Sequence, residues 1–280
     1  MGKSFYIIQG TTYSGLFSHY VRSLCEIQYA LEAGKIPIID MMTYPNMYLC
    51  DENVNRMNAW EFFFQQPCRI SLADLSKESD YEIGKKPHLT IDPLTTPGYF
   101  EWLNDNCTPW HHLRKRYLRL NGEAEEVVSK AATLLERPDC TIGVLCRGSD
   151  YVAAKPHRHP VQPTAEEVIG KVRELLDGSA CDEILLASED PTIRQCFFKA
   201  FGGRVITFGA VGDYLGYGYR TNDGQTQSER IRNAMDYLAI IMLLSKCRSF
   251  ICGKTCGSLS VMLQDHRFES LYVFEKGIYP

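Results

Sequence analysis

The sequence predicts an α/β protein of two lobes, each built on a doubly wound parallel sheet. Two observations carry this. Short apolar runs suited to buried strands recur along the chain, and helical patterns separate one run from the next, most regularly from residue 141 onward. The length of 280 residues accommodates two domains of roughly 100–200 residues each.

In the first half, Phe5-Tyr6-Ile7-Ile8 is an apolar run closed by Gly10, as in a buried strand. Thr11 to Ser18 reads as a loop around Gly15. From His19 to Ala33, Val21, Leu24, Cys25, Ile27 and Leu31 fall at helical spacing, and Gly34 supplies a stop. Ile36 to Asp40 is a second strand. Residues 41–110 are less regular and rich in aromatics, among them Trp60, Phe62, Phe63, Phe64, Trp102 and Trp110. Residues 111–136 read as helical, with Arg114, Lys115, Arg116 and Arg119 as a solvated basic face.

The second half is more regular. Thr141 to Cys146, Glu183 to Ala187, Arg204 to Phe208, Ser249 to Cys252 and Leu271 to Phe274 read as strands. A helix runs from Thr164 to Leu176, with Thr164 as cap and Glu167 three residues on. A second runs from Pro191 to Phe201, proline in its first turn and Gly202-Gly203 at its end. Ser228 to Ser245 and Leu259 to Gln264 are the others, and 209–227 is a Gly/Tyr-rich loop. The lobes divide near residue 120, as 1–120 and 121–280. Ligands of such sheets bind beyond the carboxyl ends of the strands.

Composition bounds the function. With 45% hydrophobic and 23% charged residues the chain is an ordinary globular protein, and a net charge of −4 argues against a general nucleic-acid binder. No apolar run reaches the about 18–20 residues of a membrane helix. The segment Tyr237 to Leu244 reads as a buried helix. The first residues lack the apolar core and cleavage site of a signal peptide. The 11 cysteines are odd in number, and Cys25, Cys146 and Cys252 sit in apolar runs, so reduced thiols and a cytoplasmic location are expected. Cys252 and Cys256 have no second Cys/His pair at zinc spacing, and no metal is expected.

Five loops offer chemistry. Arg147-Gly148-Ser149-Asp150 leaves a strand end. The arginine is placed to fork onto phosphate, the glycine lets backbone approach a ligand, and Asp150 orients Arg147 or a hydroxyl. Lys155-Pro156-His157-Arg158-His159-Pro160 holds two histidines able to act as bases. Glu189-Asp190 opens a helix, which capping and the helix dipole explain; the same acids also suit sugar hydroxyls. Gly253-Lys254-Thr255-Cys256-Gly257-Ser258 enters a helix and offers a diphosphate cradle, although its order is not that of a P-loop. Gly10 to His19, containing Gly15, joins the first strand to its helix.

Together, Arg147-Gly-Ser-Asp150, His159-Pro160, Leu186-Ala187-Ser188-Glu189-Asp190-Pro191, Leu244-Ser245-Lys246-Cys247 and Gly257-Ser258 resemble, over about 140 to 262, the α1,6/O-fucosyltransferase-like glycosyltransferases. The segments from Asn58 to Pro67 and Phe274 to Tyr279 resemble such proteins of bacterial polysaccharide gene clusters. That family carries a His-x-Arg-Arg-Thr-Asp segment, an Ala-Thr-Asp-Asp-Pro segment and a Leu-Ser segment. The resemblance implies a GT-B architecture of two Rossmann-like lobes facing across a cleft, 1–120 on the acceptor side and 121–280 holding the nucleotide-sugar donor. It implies GDP-fucose as donor, a glycan as acceptor, and an inverting transfer without metal or other cofactor. Arg147 matches the donor-diphosphate arginine, Glu189 and Asp190 the acidic pair, and Gly257 and Ser258 the phosphate-side turn. The motif histidine is Leu145 here, the second arginine is Gly148, and the aspartate before Leu-Ser is Ile240.

The expected donor-side residues are therefore Gly15, His19, Arg147, Gly148, Ser149, Glu189, Asp190, Thr255, Cys256, Gly257 and Ser258. The expected catalytic residues are Arg147, Asp150 and His157 or His159. A non-catalytic nucleotide- or glycan-binding protein on the same fold is one alternative, favoured by the changes at Leu145 and Gly148. A thiol enzyme using Cys146 or Cys256 is another. The sequence leaves the oligomeric state open.

Overall fold

A computed structural model of the protein describes residues 3–12, 14–76, 78–84, 88, 92–148, 152, 154–208, 225–264 and 267–280. The chain divides into two compact units, Met1–Ile91 with Thr108–Glu125 and Thr221–Arg232, and Asp92–Cys107 with Glu126–Arg220 and Asn233–Pro280. This departs from a linear division at residue 120. Residues 92–107 join the second unit because α2 (Tyr99–Asn106) packs against the helix Cys256–Met262 and the strand Ser270–Phe274 of that unit.

The first unit holds a parallel sheet of three strands. Central β1 (Ser4–Gln9) lies between β2 (Ile36–Asp40) and β3 (Asp80–Gly84). Helix α1 (Leu16–Glu32) connects β1 to β2 and buries Leu16, Tyr20, Leu24 and Ile27 along one stripe. It begins before the expected His19, because Gly15 in an extended conformation forms its cap. β3 has no counterpart among the expected strands. Its Tyr81 and Ile83 alternate with Asp80 and Glu82 but are 51% and 37% exposed, so the five-residue pattern is not that of a core strand, and backbone pairing to β1 defines it.

Glu26 of α1 is wholly buried. It accepts hydrogen bonds from Tyr6 Oη (2.6 Å) and His88 N (2.6 Å) and pairs with His88 Nδ1 at 3.0 Å. The His88 ring stacks on Tyr29 at 3.6 Å. Burial and the Glu26 carboxylate together push the Tyr6 hydroxyl far up from its ordinary pKa. The aromatic-rich region supplies a core cluster in which Trp60 stacks on Phe64 at 4.4 Å.

The single helical stretch expected over 111–136 is two helices, α3 (Thr108–Tyr117) and α4 (Gly122–Ala132). Between them Leu120 bridges Phe64, Gln65 N donates to Arg119 O (2.8 Å) and Asn121 N donates to Phe63 O (3.0 Å). This pairing draws the intervening backbone out of the helical ladder.

The second unit holds a parallel sheet of five strands, β4 (Thr141–Leu145), β5 (Glu183–Ala187), β6 (Val205–Thr207), β7 (Ser249–Gly253) and β8 (Ser270–Phe274). Their order is β6-β5-β4-β7-β8. Helices α5 (Ala165–Gly178) and α6 (Pro191–Phe201) cover one face, where Ile142, Val144, Ile184, Leu186 and Ile251 meet Val168, Val172, Ile193 and Phe197. On the opposite face Gly143 lies against Leu244 of α7 (Gln227–Leu244) and Cys247. Strands covered on both faces read as continuous apolar runs, which is why these were legible. The Thr164–Glu167 capping box of α5 and the Asp190 cap of α6 are both present. α8 (Cys256–Met262) starts earlier than the expected Leu259 because Thr255 caps it. The strand order reverses between β4 and β7, the switch point at which α/β sheets bind ligands.

Leu186, 1% exposed at the centre of this core, sets a test of the packing. Leu186→Ala should lower the unfolding free energy by about 2–5 kcal/mol in urea titrations. A loss below about 1 kcal/mol would show that the core is not packed around it.

Candidate functional site

At the carboxyl rim of the second sheet, β4, β5 and β7 deliver Arg147-Gly148, Ser188-Glu189-Asp190 and Lys254 to Ser258 side by side. Arg147 follows β4, and its Nε lies 3.6 Å from Glu189 Oε1, the side chains being 11% and 4% exposed. The same Glu189 oxygen accepts a 2.7 Å hydrogen bond from Gly148 N. A buried carboxylate thus holds both the arginine and the backbone of its loop. Asp150, expected to orient Arg147 or a hydroxyl, lies with Ser149 outside the described residues, as does most of the Gly/Tyr-rich loop, 209–224.

Several expected ligand residues have structural duties. Asp190 caps α6, accepting from Thr192 N at 2.8 Å. Gly148 was expected to admit a ligand. A Cβ there would fall 2.5 Å from Asp190 Cβ and 2.7 Å from Ile193 Cδ1, so the space belongs to the start of α6. Thr255 and Ser258 form the capping box of α8. Thr255 Oγ1 accepts from Ser258 N (3.0 Å), and Ser258 Oγ accepts from Thr255 N (2.8 Å) and donates to Gly253 O (2.7 Å). Gly257 has no room for a side chain, because the Tyr237 hydroxyl occupies the place. Cys256, between them, is half-buried.

The neighbours of this rim carry little signal in the sequence. Lys254 is 4% exposed and turns away into the unit, where Nζ pairs with Glu275 and donates to Thr96 O (2.8 Å). Burial would raise the Glu275 pKa, but its hydrogen bonds from Lys254 and Gly98 N outweigh this and hold the carboxyl below its ordinary range. Gln162 Nε2 donates to Pro160 O and Lys254 O, both at 3.1 Å, tying the His-rich loop to the end of β7. Gly253 and Gly257, glycines at a strand end and a helix start, were the available signals of this close packing.

The loop from Lys155 to Pro160 is pinned by the C-terminal segment. Arg158 N donates to Tyr279 O (3.0 Å), and Tyr279 N donates to His159 O (2.8 Å). His157 is exposed. His159 is half-buried, and burial holds its ring below the usual histidine pKa against an opposing pull from Asp92. The ring is therefore largely neutral at pH 7, the form that accepts a proton. Burial, with Glu189 and Asp190 adding to it, pushes the Cys146 thiol far up, which leaves it protonated and a poor nucleophile.

Gly15 and His19 belong to the first unit. Gly15 caps α1, and the His19 ring, 3% exposed, fills the space beside Gly10. Gly10 N donates to Tyr44 Oη at 3.0 Å. Burial lowers the His19 pKa to about 4, with Arg22 acting in the same direction and a hydrogen bond to the Ser14 backbone opposing it.

The fold is that of GT-B fucosyltransferases. It is similar to NodZ, an α1,6-fucosyltransferase co-crystallised with GDP, with 14% identity, 98% of this chain and 96% of that one covered, and a TM-score of 0.61. It is also similar to POFUT1 in complex with GDP (10% identity, 96% and 98% covered, TM-score 0.54). A mutant of Arabidopsis thaliana FUT1 in complex with GDP gives 12% identity, 100% and 73% coverage, and a TM-score of 0.57. No protein-family model and no curated protein sequence matches the chain.

Two outcomes follow from this packing. Gly257→Ala should destabilise the protein by about 1–3 kcal/mol through overpacking against Tyr237. Adding Tyr237→Phe should recover part of that loss, and strictly additive effects in thermal unfolding would disprove the contact. For His19, the unfolded chain takes up a proton near pH 6.5 that the folded chain refuses until about pH 4. Stability is therefore full above pH 6.5 and falls on acidification toward pH 4, by up to about 1.4 kcal/mol per pH unit. His19→Gln should remove this slope in urea titrations. A parallel pH dependence in the two proteins would contradict it.

Proposed function

We propose that the protein is a cytoplasmic glycosyltransferase that moves a sugar from a nucleotide-sugar donor of the GDP-fucose class to a glycan acceptor. The transfer is inverting and metal-independent. The observation that carries this reading is Arg147, held by the buried Glu189 where the strand order reverses. Glu189 Oε1 lies 3.6 Å from Nε, and the guanidinium so placed is proposed to meet the donor diphosphate. A fixed cation stabilises the negative charge that grows on the diphosphate as the glycosidic bond breaks, and it needs no reorganisation to do so. The fold shared with GDP-bound fucosyltransferases supports the donor class.

Inversion by direct displacement requires a base for the acceptor hydroxyl. His159 is suited to this by its lowered pKa, with His157 in the same loop and Asp150 as the other candidates. The turn through Thr255, Cys256, Gly257 and Ser258, next to Leu145, is proposed for the phosphate side. Its contribution is through backbone, since the Thr255 and Ser258 hydroxyls serve the cap.

In a thermal-shift panel of GDP, UDP and CMP, GDP should stabilise the protein, by an amount that grows with its concentration relative to Kd. Arg147→Ala should raise the GDP Kd at least tenfold and abolish transfer. Unchanged GDP affinity in this variant would show the donor assignment to be wrong. Leu145 and Gly148, where the resemblance expects histidine and arginine, favour a second reading as a nucleotide-binding protein without catalysis. GDP binding without slow hydrolysis of the sugar donor would decide for that one.

A further inference from the structure

Helix α3 lies in the first unit and carries the most concentrated charge of the chain. His111, His112, Arg114, Lys115 and Arg116 are followed by Arg119, and no Asp or Glu occurs from 107 to 122. The chain as a whole has a net charge of −4, so the basic character of this stretch is local and not a property of the whole chain. A second segment adds to it. Arg116 and Arg119 both act electrostatically on Cys68, and Arg69, next to Cys68 in the chain, is exposed. Among the described residues, neither Arg116 nor Arg119 has an ion pair, and Arg119 Nε is buried without a hydrogen-bond partner. The acidic Glu61 accepts from Gln66 Nε2 at 3.0 Å, and Glu123 lies four residues after Arg119 in the chain.

The outward half of α3 is divided. On this helix, which packs against α1, His111 is buried. At about 100° per residue, His112 and Arg116 fall about 100° and 140° around the axis from it. Leu113, Tyr117 and Trp110 fall at about 200°, 240° and 260° on the same count. The first two are exposed and the last three half-buried. The Arg116 guanidinium lies 5.3 Å from the centre of the Tyr117 ring, where the two sectors meet. A soluble polyanion needs only the charge. A helix lying in a bilayer interface needs a basic sector beside a sector of Trp, Tyr and Leu.

We propose that the outward half of α3, with Arg69 and Arg119, docks the protein on an anionic lipid surface. Cations draw the helix to the headgroups within a Debye length, and Trp110, Leu113 and Tyr117 seat at the headgroup boundary. No helix among the described residues is long and apolar enough to cross a membrane, so attachment is peripheral. This surface is independent of the donor reading and stands or falls separately from it.

The test is flotation with vesicles of phosphatidylcholine containing about a third phosphatidylglycerol, against vesicles of phosphatidylcholine alone. The protein should float with the anionic vesicles at low salt and be released, at least tenfold, at high salt. Arg116→Glu with Arg119→Glu should weaken binding at least tenfold, whereas Arg116→Lys with Arg119→Lys should keep it. Vesicles should shift the tryptophan emission to the blue, and Trp110→Phe should remove that shift. Three results would overturn the proposal: no flotation of the unaltered protein with anionic vesicles, equal flotation with neutral ones, or retention on heparin or RNA without vesicle binding.

Discussion

All five strands of the second unit run parallel, so every loop leaving a carboxyl end emerges on the same rim. The order reverses between β4 and β7, which opens a gap between helices crossing to opposite faces. The rim is closed chemically by one side chain. Glu189 is almost removed from water, where an unpaired carboxylate would cost several kcal/mol. The Gly148 N–H and the Arg147 guanidinium offset that cost, and the hydrogen bond is of the stronger, charge-assisted kind. The position of Arg147 therefore depends on a neighbouring strand and not on its own loop alone.

The rim also shows how residues suited to ligands are absorbed by architecture. Helix starts and phosphate cradles draw on the same residue types, short oxygen-bearing side chains and glycine, because both must satisfy or approach free backbone amides. Asp190, Thr255 and Ser258 spend their oxygens on caps. Gly148 and Gly257 are glycines because Asp190, Ile193 and Tyr237 fill the space of a side chain. Lys254, which a P-loop would direct at phosphate, braces the segment before α2 and the C-terminal segment through Thr96 and Glu275.

The first unit places its polar groups differently. Glu26 and His19 are buried on α1, the one satisfied by Tyr6 and His88, the other held against Gly10. A buried carboxylate bonded on two sides stabilises by matching its partners, and loss of one partner would strand it. These groups position the helix over β1, and they explain polar residues on a stripe that otherwise reads as apolar. In α3 the polarity faces outward, where arginines and half-buried aromatics share the surface.

The sequence by itself determined the elements whose signals are local. The strands of the second sheet were legible because both faces are covered and each is a continuous apolar run. The α5 and α6 boundaries were legible because Thr164, Glu167, Asp190 and Pro191 act within one turn of themselves. Tertiary structure alone decided the rest. β3 exists through pairing with β1 while exposing Tyr81 and Ile83, and the break between α3 and α4 exists because Leu120 pairs with Phe64. Arg147 meets Glu189, 42 residues on in the chain, because those residues close to 3.6 Å only when β4 and β5 lie side by side. No spacing within one loop carries that contact.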